Sequence, residues 1–128
     1  MILVTGGNSQ GKLVFVRAEF GFGDEDITDG GACAFEDAFS KPVLDGLYRL
    51  IARMLDAAED LEALVERGLM QNPEIIVVCD EAGCGIVPVD PRERELRERV
   101  GRLQCLLASR ASRVYRVCCG IPELIKGA

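Results

Sequence analysis

Residues 1–12 read MILVTGGNSQGK, and the fold turns on how this stretch is read. Ile2, Leu3, Val4 and Thr5 form a short β-type run that ends in Gly6 and Gly7, the pattern of a buried strand entering a tight loop. Gly6, Gly7, Asn8, Ser9, Gln10, Gly11 and Lys12 satisfy G-x-x-x-x-G-K directly after that strand. In such a loop the glycines let backbone N–H groups wrap a phosphate, and the lysine reaches the outer phosphates. The next position ordinarily supplies a Ser or Thr hydroxyl to magnesium. Here it is Leu13, which offers no ligand atom. The competing reading is a plain glycine turn, and the position after a strand favours the phosphate loop.

Working outward, residues 11–20 are ambiguous. Leu13, Val14, Phe15, Val16 and Phe20 suit a strand by their β-type content, whereas a strand–loop–helix frame makes them a helix. Residues 21–31 (GFGDEDITDGG) are rich in glycine and acids and read as a loop with a minimal strand about residues 26–28. From Pro42 the period turns helical: Val43, Leu47, Leu50, Ile51, Met54 and Leu55 share one face, with Pro42 in the first turn. After a break near residues 57–60, a second helix carries Leu61, Leu64 and Val65 and stops at Gly68. Residues 75–79 (IIVVC) are apolar throughout, as a central parallel strand covered on both faces must be. Asp90 then caps a long helix with Pro91 at its first position and Glu93 completing a capping-box pattern. Its buried stripe is Leu96, Val100, Leu103 and Leu107. Residues 113–118 are the last strand, and Gly120 begins the tail.

Strands alternating with helices predict an α/β fold: a three-layer, mainly parallel sheet laid out like a P-loop NTPase, as one domain over residues 1–128. Ligands of such sheets bind beyond the carboxyl ends of the strands. That directs attention to residues 5–12, 80–88 and 119–126.

Composition bounds the function. The chain has 128 residues and 48% apolar content, enough for one packed core. No apolar run is long enough to span a bilayer, and the opening has no signal-peptide pattern, so a soluble cytoplasmic protein is expected. The net charge of −6, with both signs intermixed, argues against nucleic acid, which needs a basic footprint. The six cysteines include no C-x-x-C pair, and there is no histidine, so zinc is not expected. Cys79, Cys105 and Cys118 sit in apolar segments and are expected to be buried free thiols.

A second constellation is the apolar strand ending in Asp80 and Glu81. An acid there is suited to holding magnesium or its water shell, with Asp80 the candidate ligand. Lys12, Asp80 and Glu81 are therefore the candidate catalytic residues. A third is EAGCGIVP at residues 81–88, whose paired glycines, apolar pair and proline describe a defined loop.

From here to residue 126 the chain resembles the bifunctional adenosylcobinamide kinase / adenosylcobinamide-phosphate guanylyltransferase family of cobalamin synthesis. That family's E-V-G-x-G-I-V-P is matched by Glu81, Gly83, Gly85 and Pro88, with Ala82 in place of valine. Its R-x-x-R-D-x-x-G-R-x-x-Q-x-x-A pattern is similar to Arg94, Arg97, Gly101, Arg102, Gln104 and Ala108, with Glu98 where aspartate is usual and Gln104 one position before the pattern's glutamine. The closing strand followed by Gly120 and Lys126, and the opening MILVTGG, fit the same family. The resemblance implies ATP or GTP as substrate with Mg2+, adenosylcobinamide as a partner, a small homo-oligomer, and a helix at residues 11–20. Two departures stand out. Leu13 replaces the loop serine, and the family's guanylyl transfer passes through a histidine that this chain lacks. The family's middle section is also shortened.

Two functional classes follow. One is an enzyme, a kinase for the adenosylcobinamide alcohol, with no guanylyltransferase activity. The other is a non-catalytic nucleotide or corrinoid binder, or a partner subunit of an active relative.

Overall fold

The computed structural model describes residues 1–8, 10–81 and 89–128. Six strands form one sheet: β1 (Ile2–Gly6), β2 (Ile27–Asp29), β3 (Val43–Asp45), β4 (Ile76–Asp80), β5 (Arg113–Cys118) and β6 (Ile121–Lys126). Their order is β2-β3-β4-β1-β5-β6. The first five run parallel, and β6 folds back antiparallel to β5. Four helices are described: α1 (Lys12–Phe20), α2 (Leu47–Asp56), α3 (Leu61–Gln71) and α4 (Pro91–Arg110). No helix among the described residues is long and apolar enough to cross a membrane.

β1 lies in the middle, between β4 and β5, and its Leu3 and Val4 are buried on opposite faces. On one face Leu3, Leu44, Val77 and Val114 pack against Leu50, Ile51 and Met54 of α2, Leu61 and Val65 of α3, and Val100 and Leu107 of α4. On the other, Val4, Val43, Ile76, Val78 and Val117 pack against Val16 of α1, with Phe15, Phe20 and Tyr115 closing the edge. This is the expected three-layer arrangement. It also locates a crevice. β1 runs into α1 on one face, while the next described helix after β4 lies on the other. Adjacent strands whose chains depart to opposite faces leave an opening beyond their carboxyl ends.

Several expectations change. The ambiguous segment resolves as helix α1, Lys12–Phe20 with Gly11 before it, so the frame outweighs the β-type content. Val43 begins a strand, not a helix: it pairs with Ile27 of β2 and Ile76 of β4, and helix α2 starts only after Gly46, whose φ is 84°. A two-sided buried strand of three residues is too short to show its own period, and the apolar residues of the following helix extend the helical pattern backwards over it. Gly68 does not end α3. It sits inside the helix where the Phe39 ring occupies the space a side chain would need. The last strand is β6, not β5, and Gly120 is in the turn between them with φ 75°. Cys79 is buried, but Cys105 and Cys118 are exposed, the first on the outer side of α4 and the second at the end of β5. Asp60 caps α3 by accepting from the Ala63 N–H at 3.1 Å, and Asp90 caps α4 by accepting from Arg92 at 3.0 Å.

Candidate functional site at the carboxyl ends of the parallel strands

Gly6 and Asp80 stand side by side at the ends of β1 and β4. Lys12, the first residue of α1, reaches back between them. Its ammonium lies 2.6 Å from Asp80 Oδ1 and donates to the Gly7 carbonyl at 2.7 Å, and the residue is only 7% exposed. An ammonium so enclosed needs partners, and the carboxylate and carbonyl supply them. A Cβ on Gly6 would run into the backbone carbonyl of Val117, so glycine is what lets the end of β1 lie against β5. Gly11 takes the left-handed conformation (φ 89°) that turns the loop into α1. Gln10 ties the loop to the β5–β6 turn: its Oε1 accepts from the Cys119 N–H at 2.7 Å and its carbonyl from the Gly120 N–H at 2.8 Å.

Two further residues enter the site that the sequence did not single out. Asp45 ends β3 and Arg49 lies one helical turn on in α2. Together with Asn8, Lys12, Leu13 and Asp80 they line a cavity of about 220 Å³. Arg49 bridges Asp29, at 3.3 Å, and Asp45, at 3.6 Å, so the ends of β2 and β3 are joined by one guanidinium. Burial raises the Asp45 carboxyl above its ordinary value. Arg49 opposes that shift, Asp29 and Asp80 add to it, and Lys12 opposes it. A helical reading of residues 42–45 hides Asp45, whereas the strand β3 places that aspartate at its carboxyl end.

Gln104 of α4 staples the site from below, donating to Thr5 Oγ1 at 3.2 Å and to the Asp80 carbonyl at 3.0 Å. The neighbouring Cys79 thiol is pushed up to about 12 by burial and is an inert packing group. Glu81 is not gathered with Lys12 and Asp80. Its carboxylate receives two hydrogen bonds from Arg116, at 2.7 and 3.3 Å, and it does not line the cavity. Arg94 is exposed, and Arg102 pairs along the surface with Glu98 at 3.4 Å. Arg97 is half-buried and hydrogen-bonds Tyr48, whose hydroxyl is shifted upward first by burial and then by Glu93. Arg99 pairs with Glu62 of α3 at 2.9 Å rather than with Glu95 on its own helix. Ser9, Gly83, Gly85 and Pro88 lie outside the described residues. A larger cleft of about 540 Å³, lined by Phe22, Phe39, Lys41, Pro42 and Asn72, opens at the amino end of β3. Its charged lining residues are Lys41 and Glu74, against Lys12, Asp45, Arg49 and Asp80 in the smaller cavity, and volume alone does not mark a site.

A protein-family model described as cobinamide kinase / cobinamide phosphate guanyltransferase matches residues 34–125. The chain belongs to this family. The match takes in α2, α3, β4, α4 and β5, and with them Asp45, Arg49, Asp80 and Gln104. It starts beyond the loop at residues 6–12 and includes residues 34–72, where no family motif is visible by eye. The α/β architecture with its mostly parallel sheet agrees with the P-loop NTPase-like fold that the cobinamide kinase family implies. Membership connects the chain with cobalamin biosynthesis and with nucleotide and cobinamide substrates. No curated protein matches it.

Proposed function

We propose that this member of the cobinamide kinase family is a one-domain protein that binds ATP or GTP with the phosphates on the loop 6–12, and that it transfers the γ-phosphoryl group to the alcohol of adenosylcobinamide. The observation that carries the reading is Lys12. An enclosed ammonium held between Asp80 and the Gly7 carbonyl, at the mouth of the crevice between β1 and β4, is placed to exchange those partners for phosphate oxygens. Phosphoryl transfer asks the protein chiefly for position and charge. Lys12 would offset the charge on the outer phosphates, and the backbone of the loop would hold the rest. Asp45, whose carboxyl burial raises above its ordinary value, stands in the same cavity and in its ionised form would accept a proton from the attacking alcohol.

The residues fit Mg2+, which accepts one or two carboxylates and completes its shell with phosphate and water. Asp80 would hold it; no group of three or more metal-binding side chains gathers among the described residues, and such a site requires none. Bound there, the ion would supply charge stabilisation to the phosphates. Leu13 lines the cavity and contributes only carbon, which favours the second reading, a nucleotide binder without catalysis. The lack of histidine speaks against guanylyl transfer on either reading.

Isothermal titration with ATP and GTP, with and without magnesium, followed by an assay for labelled phosphate on adenosylcobinamide, tests the proposal. The kinase reading expects binding tightened by magnesium and label transfer abolished by Asp80→Ala, with Leu13→Ser raising turnover. Nucleotide binding that is indifferent to magnesium, with no label on cobinamide, leaves only the binder. No binding of either nucleotide overturns both.

A further inference from the structure

Helix α2 carries two arginines about one turn apart, and the fold uses them differently. Arg53 spends both terminal nitrogens on backbone, donating to the Gly30 carbonyl at 2.8 Å and to the Cys33 carbonyl at 2.7 Å. Its guanidinium also lies over the Phe35 ring, 5.0 Å from the centroid. That arginine is committed to holding residues 30–35 against the helix. Arg49 is held through one terminal nitrogen only, 3.3 Å from Asp29 Oδ1 and 3.6 Å from Asp45 Oδ2, and its side chain is 54% exposed. Both contacts are longer than a charge-assisted hydrogen bond of roughly 2.7–2.9 Å. The other N–H donors of its fork make no hydrogen bond among the described residues.

The place of this guanidinium is nonetheless defined. A Cβ on Gly31 or on Gly46 would run into it, so two glycines make the room in which it lies. That room opens on the cavity that Asn8, Lys12, Leu13 and Asp80 also line. Sheet order fixes what Arg49 reaches there. The loop 6–12 follows β1, Asp80 ends β4 and Asp45 ends β3, and these strands are successive neighbours. With strands about 4.8 Å apart, the end of β3 is roughly 10 Å from the end of β1. A phosphate chain seated on the loop and on Lys12 therefore approaches Arg49 with its outermost group alone. A planar fork with unspent donors suits that group, which it meets bidentately.

We propose that Arg49 binds the terminal phosphate of a nucleoside triphosphate and so lets the site tell triphosphate from diphosphate. The inference rests on the phosphate-loop reading and adds a residue to it. It also answers the gap at Leu13. Where the loop offers no hydroxyl to anchor an ion beside the outer phosphate, Arg49 brings a fixed charge to the same group. Asp29 and Asp45 keep the side chain at the cavity until phosphate oxygens replace their long contacts.

The test is titration calorimetry of the full chain with ATP, ADP, GTP and GDP in one magnesium buffer. Arg49→Ala should weaken binding of the triphosphates at least tenfold and of the diphosphates no more than threefold. Arg49→Lys, which keeps the charge and loses the fork, should fall between the wild type and Arg49→Ala. The side chain is half-exposed, so both variants are compatible with the fold, and a thermal melt of each checks this. Equal loss for tri- and diphosphates, or no loss for either, overturns the proposal and leaves the phosphate loop standing. Failure of the wild-type chain to bind any of the four nucleotides overturns the phosphate-loop reading, and this inference falls with it.

Discussion

Lys12 is the residue on which the site depends. It is 7% exposed and paired with Asp80, so the phosphate contact proposed for it would be little weakened by bulk water. Lys12→Ala should weaken triphosphate binding at least tenfold, about 1.4 kcal/mol, by titration calorimetry. An unchanged dissociation constant would reduce residues 6–12 to a structural turn. Asp45 makes a different prediction, about pH. Its folded carboxyl titrates above the ordinary value of 3.8, so the folded state holds its proton more tightly than the unfolded state does. The carboxyl therefore favours folding below the unfolded value, and that advantage is lost as pH rises through the folded value. Asp45→Asn should raise the melting temperature at neutral pH, with the gain shrinking as pH falls toward 3.8. Thermal melts across that range check it; a gain that grows on acidification would contradict the burial argument.

At the scale of elements, the helices on one face hold the sheet through close contacts that a short side chain can upset. Gly68 of α3 accepts the Phe39 ring, and a Cβ there would overlap ring carbons of a residue that is itself buried. Alanine gains about 1 kcal/mol in helix propensity. Overpacking costs about 1–3 kcal/mol. Gly68→Ala should therefore destabilise by about 1 kcal/mol and lower the melting temperature by a few degrees. A stabilised variant would show that Phe39 moves aside without cost. The cap of α4 was legible in advance, because Asp90 acts on an N–H group two residues away, whereas the cap that Asp60 makes on α3 lay inside what reads as a break. The boundary of α2 was not. Residues 43–45 carry the apolar character of both a strand and a helix start, and only pairing with β2 and β4 chose the strand.

Over the whole molecule, one sheet brings the ends of β2, β3, β4 and β1 into a line, with Asp29, Asp45, Asp80 and the loop 6–12 in sequence across it. Two cations, Arg49 and Lys12, are interleaved with the three carboxylates. No histidine is present in this chain to carry a guanylyl group. Incubation with radiolabelled GTP and magnesium should leave the denatured protein unlabelled, and a stable GMP adduct on any residue would show that another nucleophile has taken that part. By itself the sequence determined the parallel α/β class, the loop after β1, the strand ending in Asp80, the long capped helix and the family resemblance. Each of these is written in residues within one turn or one strand of each other: glycine freedom, apolar runs, capping side chains, a fixed spacing. Tertiary structure alone decided that β3 and β6 are strands, that Glu81 is taken by Arg116, and that Asp45 and Arg49 join Lys12. Those facts depend on pairing and charge between segments tens of residues apart, and no local pattern encodes them.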